Sequence, residues 1–319
     1  MLRTALTDLF SVEAPIIGAP MAGVAGGELA AAVSTGGGLG MIGVGSSATS
    51  DFIRTEAAKA RTAGRPFGIG LMAWALADRP DQFEAAINAG PALVSVSFGA
   101  LEPWVERLHT VGIAAATQAG DTEEARVAAG CGVDFVVVRG SEAGGHGRDR
   151  VATLPLLQSV LDIVDTPVIA AGGIATGRGL AAVLAAGAAG AWVGTALLAS
   201  TEAINSSSAR ARALAASEID TLYTSVFDVA QGIGWPSGYP GRALANDFCR
   251  RWSGREDELA ANPDAAEQLA TARRSENYDV AYIYAGQGVG LLREQRSAAA
   301  VVADMAADAE ARLARWANT

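Results

Sequence analysis

The chain has 319 residues, half of them hydrophobic and 18% charged, so it can bury a large core and lacks the composition of a disordered segment. Lys and Arg total 24 against 34 Asp and Glu, a formal charge of -10, which speaks against a nucleic-acid footprint, because polyanion binding needs clustered positive charge. Lys59 is the only lysine and lies in a charged helical stretch, Asp51 to Arg61, which speaks against Schiff-base aldolases and P-loop enzymes alike.

The first ten residues carry Arg3 and Asp8 and no apolar h-region, so no secretory signal is expected. Ala14 to Ala19 reads as a first strand, followed by a Gly-rich turn and a helix over Gly27 to Ser34. Leu39 to Ile42 then Asp51 to Thr62 repeat the strand-then-helix pattern, as do Pro66 to Leu71 with Pro80 to Ala89. Leu93 to Ser97 precedes a helix over Glu102 to Thr110, and Ile113 to Ala116 precedes Thr122 to Ala129. Strand Asp134 to Arg139 runs into a long Gly-rich loop before helix Leu154 to Val164. Pro167 to Ala170 with Arg178 to Ala186, and Ala191 to Val193 with a helix around Ala203 to Leu214, complete the series.

Eight such units in a row, with strands that are mostly continuous apolar runs, predict a parallel sheet buried on both faces. A closed (β/α)8 TIM barrel over residues 1–217 is the expected fold, with a doubly wound sheet as the alternative. Gly179 to Ser200 has no charge and imitates a transmembrane helix in length, but Gly187 and Gly190 divide it into helix, turn and buried strand. A cytoplasmic protein is expected. Glu218 to Arg274 breaks the rhythm with Gly, Pro, Trp and charge, and reads as a mostly helical excursion over the barrel. Ala285 to Val289 reads as a loop and Ser297 to Trp316 as a closing amphipathic helix, so residues 218–319 are expected to form a helical insertion or cap plus that helix. Cys131 and Cys249 stand far apart and form neither a disulfide framework nor a metal site.

In a barrel, the chemistry belongs in the loops that follow the strands. The loop after the sixth strand reads Arg139-Gly140-Ser141-Glu142-Ala143-Gly144-Gly145-His146-Gly147-Arg148. Its glycines let backbone approach a ligand and present the imidazole of His146, one of two histidines and the side chain suited to proton transfer near neutrality. His109 ends a predicted helix and reads instead as a solvent-facing residue near the helix dipole. Ala170-Ala171-Gly172-Gly173-Ile174-Ala175-Thr176 ends the seventh strand and opens a helix, while Trp192-Val193-Gly194-Thr195-Ala196 ends the eighth. Glycine turns at the seventh and eighth positions of an eight-unit repeat mark a phosphate site built from backbone N–H groups.

These motifs resemble the nitronate monooxygenase (formerly 2-nitropropane dioxygenase) family of FMN-dependent barrels over nearly the whole chain. The matching stretches are Ala19-Pro20-Met21-Ala22-Gly23, Ser97-Phe98-Gly99, Glu142-Ala143-Gly144-Gly145-His146, Ala171-Gly172-Gly173-Ile174, Gly194-Thr195 and Ala285-Gly286-Gln287. The resemblance implies FMN with its phosphate on Gly172, Gly173, Gly194 and Thr195, where Trp192 and Val193 lead into the loop. It places the isoalloxazine near Met21, Ala22, Leu71, Arg139 and Gly144, and makes His146 the catalytic base. Two positions depart from the family pattern, Leu71 where Asn is usual and Arg139 where Gln is usual. Arg139 brings a permanent cation with five donors; it is expected beside the flavin or phosphate, stabilising anionic reduced flavin or an anionic substrate, unless it forms a salt bridge at the barrel rim.

Trp235, Tyr239 and Arg242 lie in a Gly- and Pro-rich segment that either lines a substrate pocket or packs inward. The activity the resemblance implies is oxidation of an alkyl nitronate with O2 to a carbonyl compound and nitrite. The same block also resembles FMN-dependent enoyl-ACP reductases of the type II class and NADH:quinone reductases. A flavin-free sugar-phosphate barrel would explain the glycine loops but not the histidine loop, and nothing marks a non-catalytic binding module. The expected partners are a small-molecule substrate and O2, with no nucleic acid, membrane or metal, and a homodimer is an allowed assembly.

Overall fold

The computed structural model describes residues 2–317, so residues 1, 318 and 319 of the expected spans lie outside the described residues. Eight parallel strands follow one another along the chain: β1 Ile16–Gly18, β2 Gly40–Gly43, β3 Phe67–Met72, β4 Leu93–Ser97, β5 Ala114–Ala119, β6 Phe135–Arg139, β7 Val168–Ala171 and β8 Gly190–Val193. Their order in the sheet is β1-β8-β7-β6-β5-β4-β3-β2. A parallel bridge from Ile17 to Leu39 joins the two ends and closes the ring. The fold is the expected TIM barrel, and the uncharged stretch that imitated a membrane span divides into helix Gly177–Ala185 and β8. Among the described residues no helix is long and apolar enough to cross a membrane.

The strand sequences explain the two-layered core. In β6, Phe-Val-Val-Val-Arg, every residue is buried. Pleating sends Val136 and Val138 outward to the helices, while Phe135 and Val137 join Ile17, Met41, Leu93, Ile169 and Trp192 inside the barrel. The lower end of that interior is plugged by helix Ala5–Phe10, whose Leu6 and Phe10 enter the inner cluster, with the Phe10 and Phe135 rings 5.8 Å apart. Toward the carboxyl ends of the strands the inward positions turn polar, at Ser95, Ser97, Gln118 and Arg139, which marks that end as the mouth.

One expectation changes here. The helix that completes the outer ring is Ala298–Ala317, which packs on Gly177–Ala185 and on helix Gly27–Thr35. The stretch after β8 instead yields the shorter helix Ser207–Leu214, whose Ala209 and Ala213 join a separate cluster with Leu244, Ile283 and Val289. The closing helix therefore belongs to the barrel, and the insertion lies between β8 and that helix.

The excursion is mostly helical, as expected, and carries a short sheet besides. It holds helices Val226–Gln231, Asp247–Trp252, Glu256–Ala260 and Pro263–Arg274 around Phe227, Phe248, Trp252 and Leu269. It also holds two antiparallel strands, β9 Thr221–Thr224 and β10 Gly241–Leu244. Strands of four residues that contain Thr, Arg and Gly are too short for a period to register in the sequence. Their sheet is completed by the barrel's own histidine loop: Gly241 pairs with His146 and Arg242 with Gly145.

Phe135 is 1% exposed and couples the bottom plug to the barrel interior. Phe135→Ala is expected to lower unfolding stability by about 3–5 kcal/mol, read as a shift of the urea midpoint.

Candidate active site

The histidine loop leaves β6 at Arg139, whose side chain points into the barrel mouth and is 4% exposed. Its Nη2 donates to the carbonyls of Ala143, Gly144 and Gly145 at 3.2, 2.9 and 2.7 Å, and Nη1 to the Tyr223 hydroxyl at 3.0 Å. Among the described residues no carboxylate lies within ion-pairing distance of it, so the rim salt bridge is absent there. The guanidinium acts as a clamp on the loop.

Further contacts hold the loop from other sides. The Glu142 carboxylate accepts from Thr153 N and Oγ1, both at 2.8 Å, and the Glu142 carbonyl from Gln287 N at 2.9 Å. Arg242 donates from Nε to the Ser141 carbonyl at 2.8 Å and lies over the Tyr223 ring. Gly144 sits against the backbone of Ala285 and Gly286. Arg242 is thus part of the loop's support rather than of a substrate pocket.

His146 is nearly enclosed, its side chain 10% exposed. Its ring stacks on Trp235 with centroids 3.7 Å apart and planes within 6°. Trp235 in turn touches Trp74 and Phe98, and Phe98 touches Tyr239. Of the two readings for Trp235 and Tyr239, an aromatic wall around His146 is what forms. His146 Nε2 lies 2.9 Å from Asp228 Oδ2, and the Tyr284 hydroxyl donates to Asp228 Oδ1 at 3.2 Å. Burial, then the Asp228 charge, pushes the Tyr284 hydroxyl well above its ordinary range, which keeps it a donor.

The segment bearing Trp235 is fastened at its far end. Tyr239 donates its hydroxyl to Glu124 Oε1 at 2.8 Å, and Arg148 spans Glu124, the Tyr239 hydroxyl and the Gly238 carbonyl while covering the Tyr239 ring. Desolvation, followed by the Glu124 hydrogen bond and charge, raises the Tyr239 hydroxyl to about 12.

The glycine loops after β7 and β8 are neighbours because those strands pair, Ala171 opposite Trp192. Gly172 and Gly173 have φ of 120° and 69°, the left-handed side of the map that side chains disfavour. Among the described residues the backbone N–H groups of Gly173, Gly194 and Thr195 donate to no protein acceptor. Gly173 faces open space, with only the Glu142 Cβ within 4 Å of where its own Cβ would stand. Free N–H donors in these two loops, one of them on the left-handed Gly173, beside a helix capped by Thr176, fit a phosphate group. Met21 lies against Gly194, which brings the loop after β1 to the same place, and the Thr195 hydroxyl accepts from Gly286 N at 2.9 Å.

Other expected cofactor residues are placed differently. Leu71 is 3% exposed and faces the helix layer, because pleating alternates it with the inward Gly70 and Met72. A ligand at the mouth can meet its backbone only. Gly70 is the inward residue, and a Cβ there would stand 2.3 Å from Pro20 Cγ, so the loop after β1 lies directly over it. Val193 likewise packs outward and Trp192 inward beneath the loops, while Ala22 is exposed at the mouth. His109 is in the last turn of helix Glu102–Thr110 but bonds Asp134 at 2.9 Å.

Asp228, Tyr284, Trp74 and Tyr223 were not anticipated. For Asp228 a signal exists: it is the lone charge in Val226-Phe227-Asp228-Val229-Ala230, and a carboxylate in an apolar window needs a partner. The aromatic residues carry no such mark.

The nitronate monooxygenase family model matches residues 3–308. The chain belongs to the nitronate monooxygenase family. The solved nitroalkane oxidase of Streptomyces ansochromogenes superposes with a TM-score of 0.81 at 33% identity, covering 99% of this chain and 100% of that one. FabK from Thermotoga maritima gives 0.86 at 30% identity over 100% and 99%. A (3aS,4S,5R,7aS)-5-hydroxy-7a-methyl-1-oxo-octahydro-1H-indene-4-carboxyl-CoA dehydrogenase of Rhodococcus jostii (strain RHA1) is 37% identical over 250 residues, covering 77% of this chain and 67% of its own. Membership in the nitronate monooxygenase family makes the protein an oxidoreductase.

Arg139→Met removes the donors from three loop carbonyls. It is expected to cost about 2 kcal/mol and to speed amide exchange across residues 143–147; unchanged exchange would show that the loop does not depend on the clamp. A raised hydroxyl pKa at Tyr239 means stability that is complete below its ordinary 10.0 and lost as pH rises through about 12. Tyr239→Phe is therefore expected to flatten the alkaline limb of the unfolding curve and remove one late-titrating phenol from the ultraviolet absorbance titration.

Proposed function

We propose that this protein oxidises alkyl nitronates, and nitroalkanes by way of them, to a carbonyl compound and nitrite with O2. The observation that carries the reading is one nearly buried imidazole, His146, set in an aromatic wall next to glycine loops with free N–H groups. The family match and the likeness to the Streptomyces nitroalkane oxidase support it. FMN is the flavin these loops suit, its one phosphate held by Gly172, Gly173, Gly194 and Thr195. When bound, FMN supplies the one-electron oxidation of the nitronate.

The remaining work falls to the chain itself. His146 removes the α-proton of a neutral nitroalkane. Trp74, Phe98, Trp235 and Tyr239 keep water away and accept an alkyl chain. Arg139 holds the loop at the height at which His146 stands over the mouth.

Likeness to FabK from Thermotoga maritima supports a second reading, an FMN-dependent NAD(P)H reductase of the quinone or enoyl-ACP type. Anaerobic mixing of the yellow protein separates the two. Bleaching by ethyl nitronate and not by NADH or NADPH is expected, and the reverse pattern would overturn the proposal in favour of the reductase. His146→Ala is expected to lower kcat/KM for a neutral nitroalkane by about 10²–10⁴-fold and to lower it much less for the preformed nitronate. An equal loss on both substrates would remove His146 as the base.

A further inference from the structure

The two nitrogens of His146 have different surroundings. Nε2 faces Asp228 Oδ2 at 2.9 Å, whereas Nδ1 has no hydrogen-bond partner among the described residues. Asp228 comes from helix Val226–Gln231 of the insertion, and its side chain is 6% exposed. His146 is its one ion-pair partner among the described residues. Its other oxygen, Oδ1, accepts from the Tyr284 hydroxyl. The guanidinium on that side, Arg273, bonds Gln231 and lies over the Tyr282 ring. The Tyr282 hydroxyl also donates to Gln231.

An ionised carboxylate can only accept hydrogen bonds, so Nε2 must be the donor. A neutral imidazole protonated at Nε2 carries its free lone pair on Nδ1. The ring cannot easily turn to exchange the two. Trp235 fixes its plane, Asp228 fixes its direction, and pairing with Gly241 fixes its backbone.

We propose that Asp228 is the positioning residue of this site: it fixes the Nε2-protonated tautomer of His146, making Nδ1 the atom that receives the substrate proton, while Tyr284 holds the carboxylate in place. This rests on His146 being the base in the reading above. In the step, the α C–H bond of a neutral nitroalkane breaks and a new N–H bond forms at Nδ1. The C–H electron pair becomes the C=N bond of the nitronate, and the nitro oxygens take the negative charge. The imidazolium left behind lies against the Asp228 carboxylate and afterwards returns the proton to water.

The test uses the flavin-loaded protein labelled with ¹⁵N. It has two histidines, so two-bond proton–nitrogen spectra are simple, and His109→Gln identifies the His146 signals. At alkaline pH, His146 is expected as the Nε2–H tautomer, and Asp228→Asn, whose amide can also donate, is expected to give a mixed or reversed population. The same variant is expected to lower the kcat/KM ratio of neutral nitroalkane to preformed nitronate by about 100-fold or more. Tyr284→Phe is expected to move the same ratio in the same direction by a smaller factor, and serves if Asp228→Asn fails to fold. An Nδ1–H tautomer in the unaltered protein, or a ratio unchanged in both variants, would overturn the proposal. If the unaltered protein turned over neither substrate while the tautomer pattern held, the functional reading would fail and the Asp228 assignment would stand.

Discussion

The ladder of two residues between the histidine loop and β10 joins the barrel to its insertion, and the site depends on it. Gly145 and His146 lie in a loop with four glycines from position 140 to 147, a segment with much conformational entropy to lose on ordering. Pairing with Gly241 and Arg242 orders it from one side. The Arg139 guanidinium orders it from below through three carbonyls. A hydrogen bond to a charged donor contributes about 1.5–3 kcal/mol, and Nη2 shares its two N–H among the three carbonyls, enough for such a clamp to matter. Asp228 and Trp235 reach His146 only because the insertion is anchored there.

Charge is used sparingly around this mouth. Arg139, Arg148 and Arg242 all end on carbonyls, hydroxyls or Glu124 within the protein. In a chain of net charge -10, what the mouth offers an anion among the described residues is the unpaired backbone N–H groups of Gly173, Gly194 and Thr195. Such dipoles bind a phosphate at one fixed place without drawing anions to the surface at large.

Much of this was legible in the residue order. Apolar runs alternating with helical stretches disclosed eight parallel β/α units, because a parallel strand buried on both faces leaves a continuous apolar run; closure of the ring rests on the bridge from Ile17 to Leu39. The glycines at the seventh and eighth positions marked two loops that the pairing of their strands brings side by side. Face was harder to read than place. Leu71 and Val193 were correctly located at strand ends, yet a strand's phase decides which side a side chain takes, and both turn to the helices. Arg139 shows the limit for charge: its identity announced a cation at the mouth, but its partners are carbonyl groups, which every residue has and no sequence marks. Asp228 and Tyr284 come from parts of the chain 82 and 56 positions apart from their partners, and only the folded insertion brings them together.

The position of the insertion, between β8 and helix Ala298–Ala317, has a consequence for how the chain acquires its shape. The last helix packs against the helix over Gly27–Thr35, so the earliest part of the ring waits for the latest. During synthesis the strands can assemble in order, yet the gap beside the first helix stays open until the whole insertion has emerged. An apolar seam is thereby exposed for the longest time at the point where the ring begins and ends. Assembly of the roof over the barrel mouth thus comes before, or together with, the final sealing of the wall beneath it.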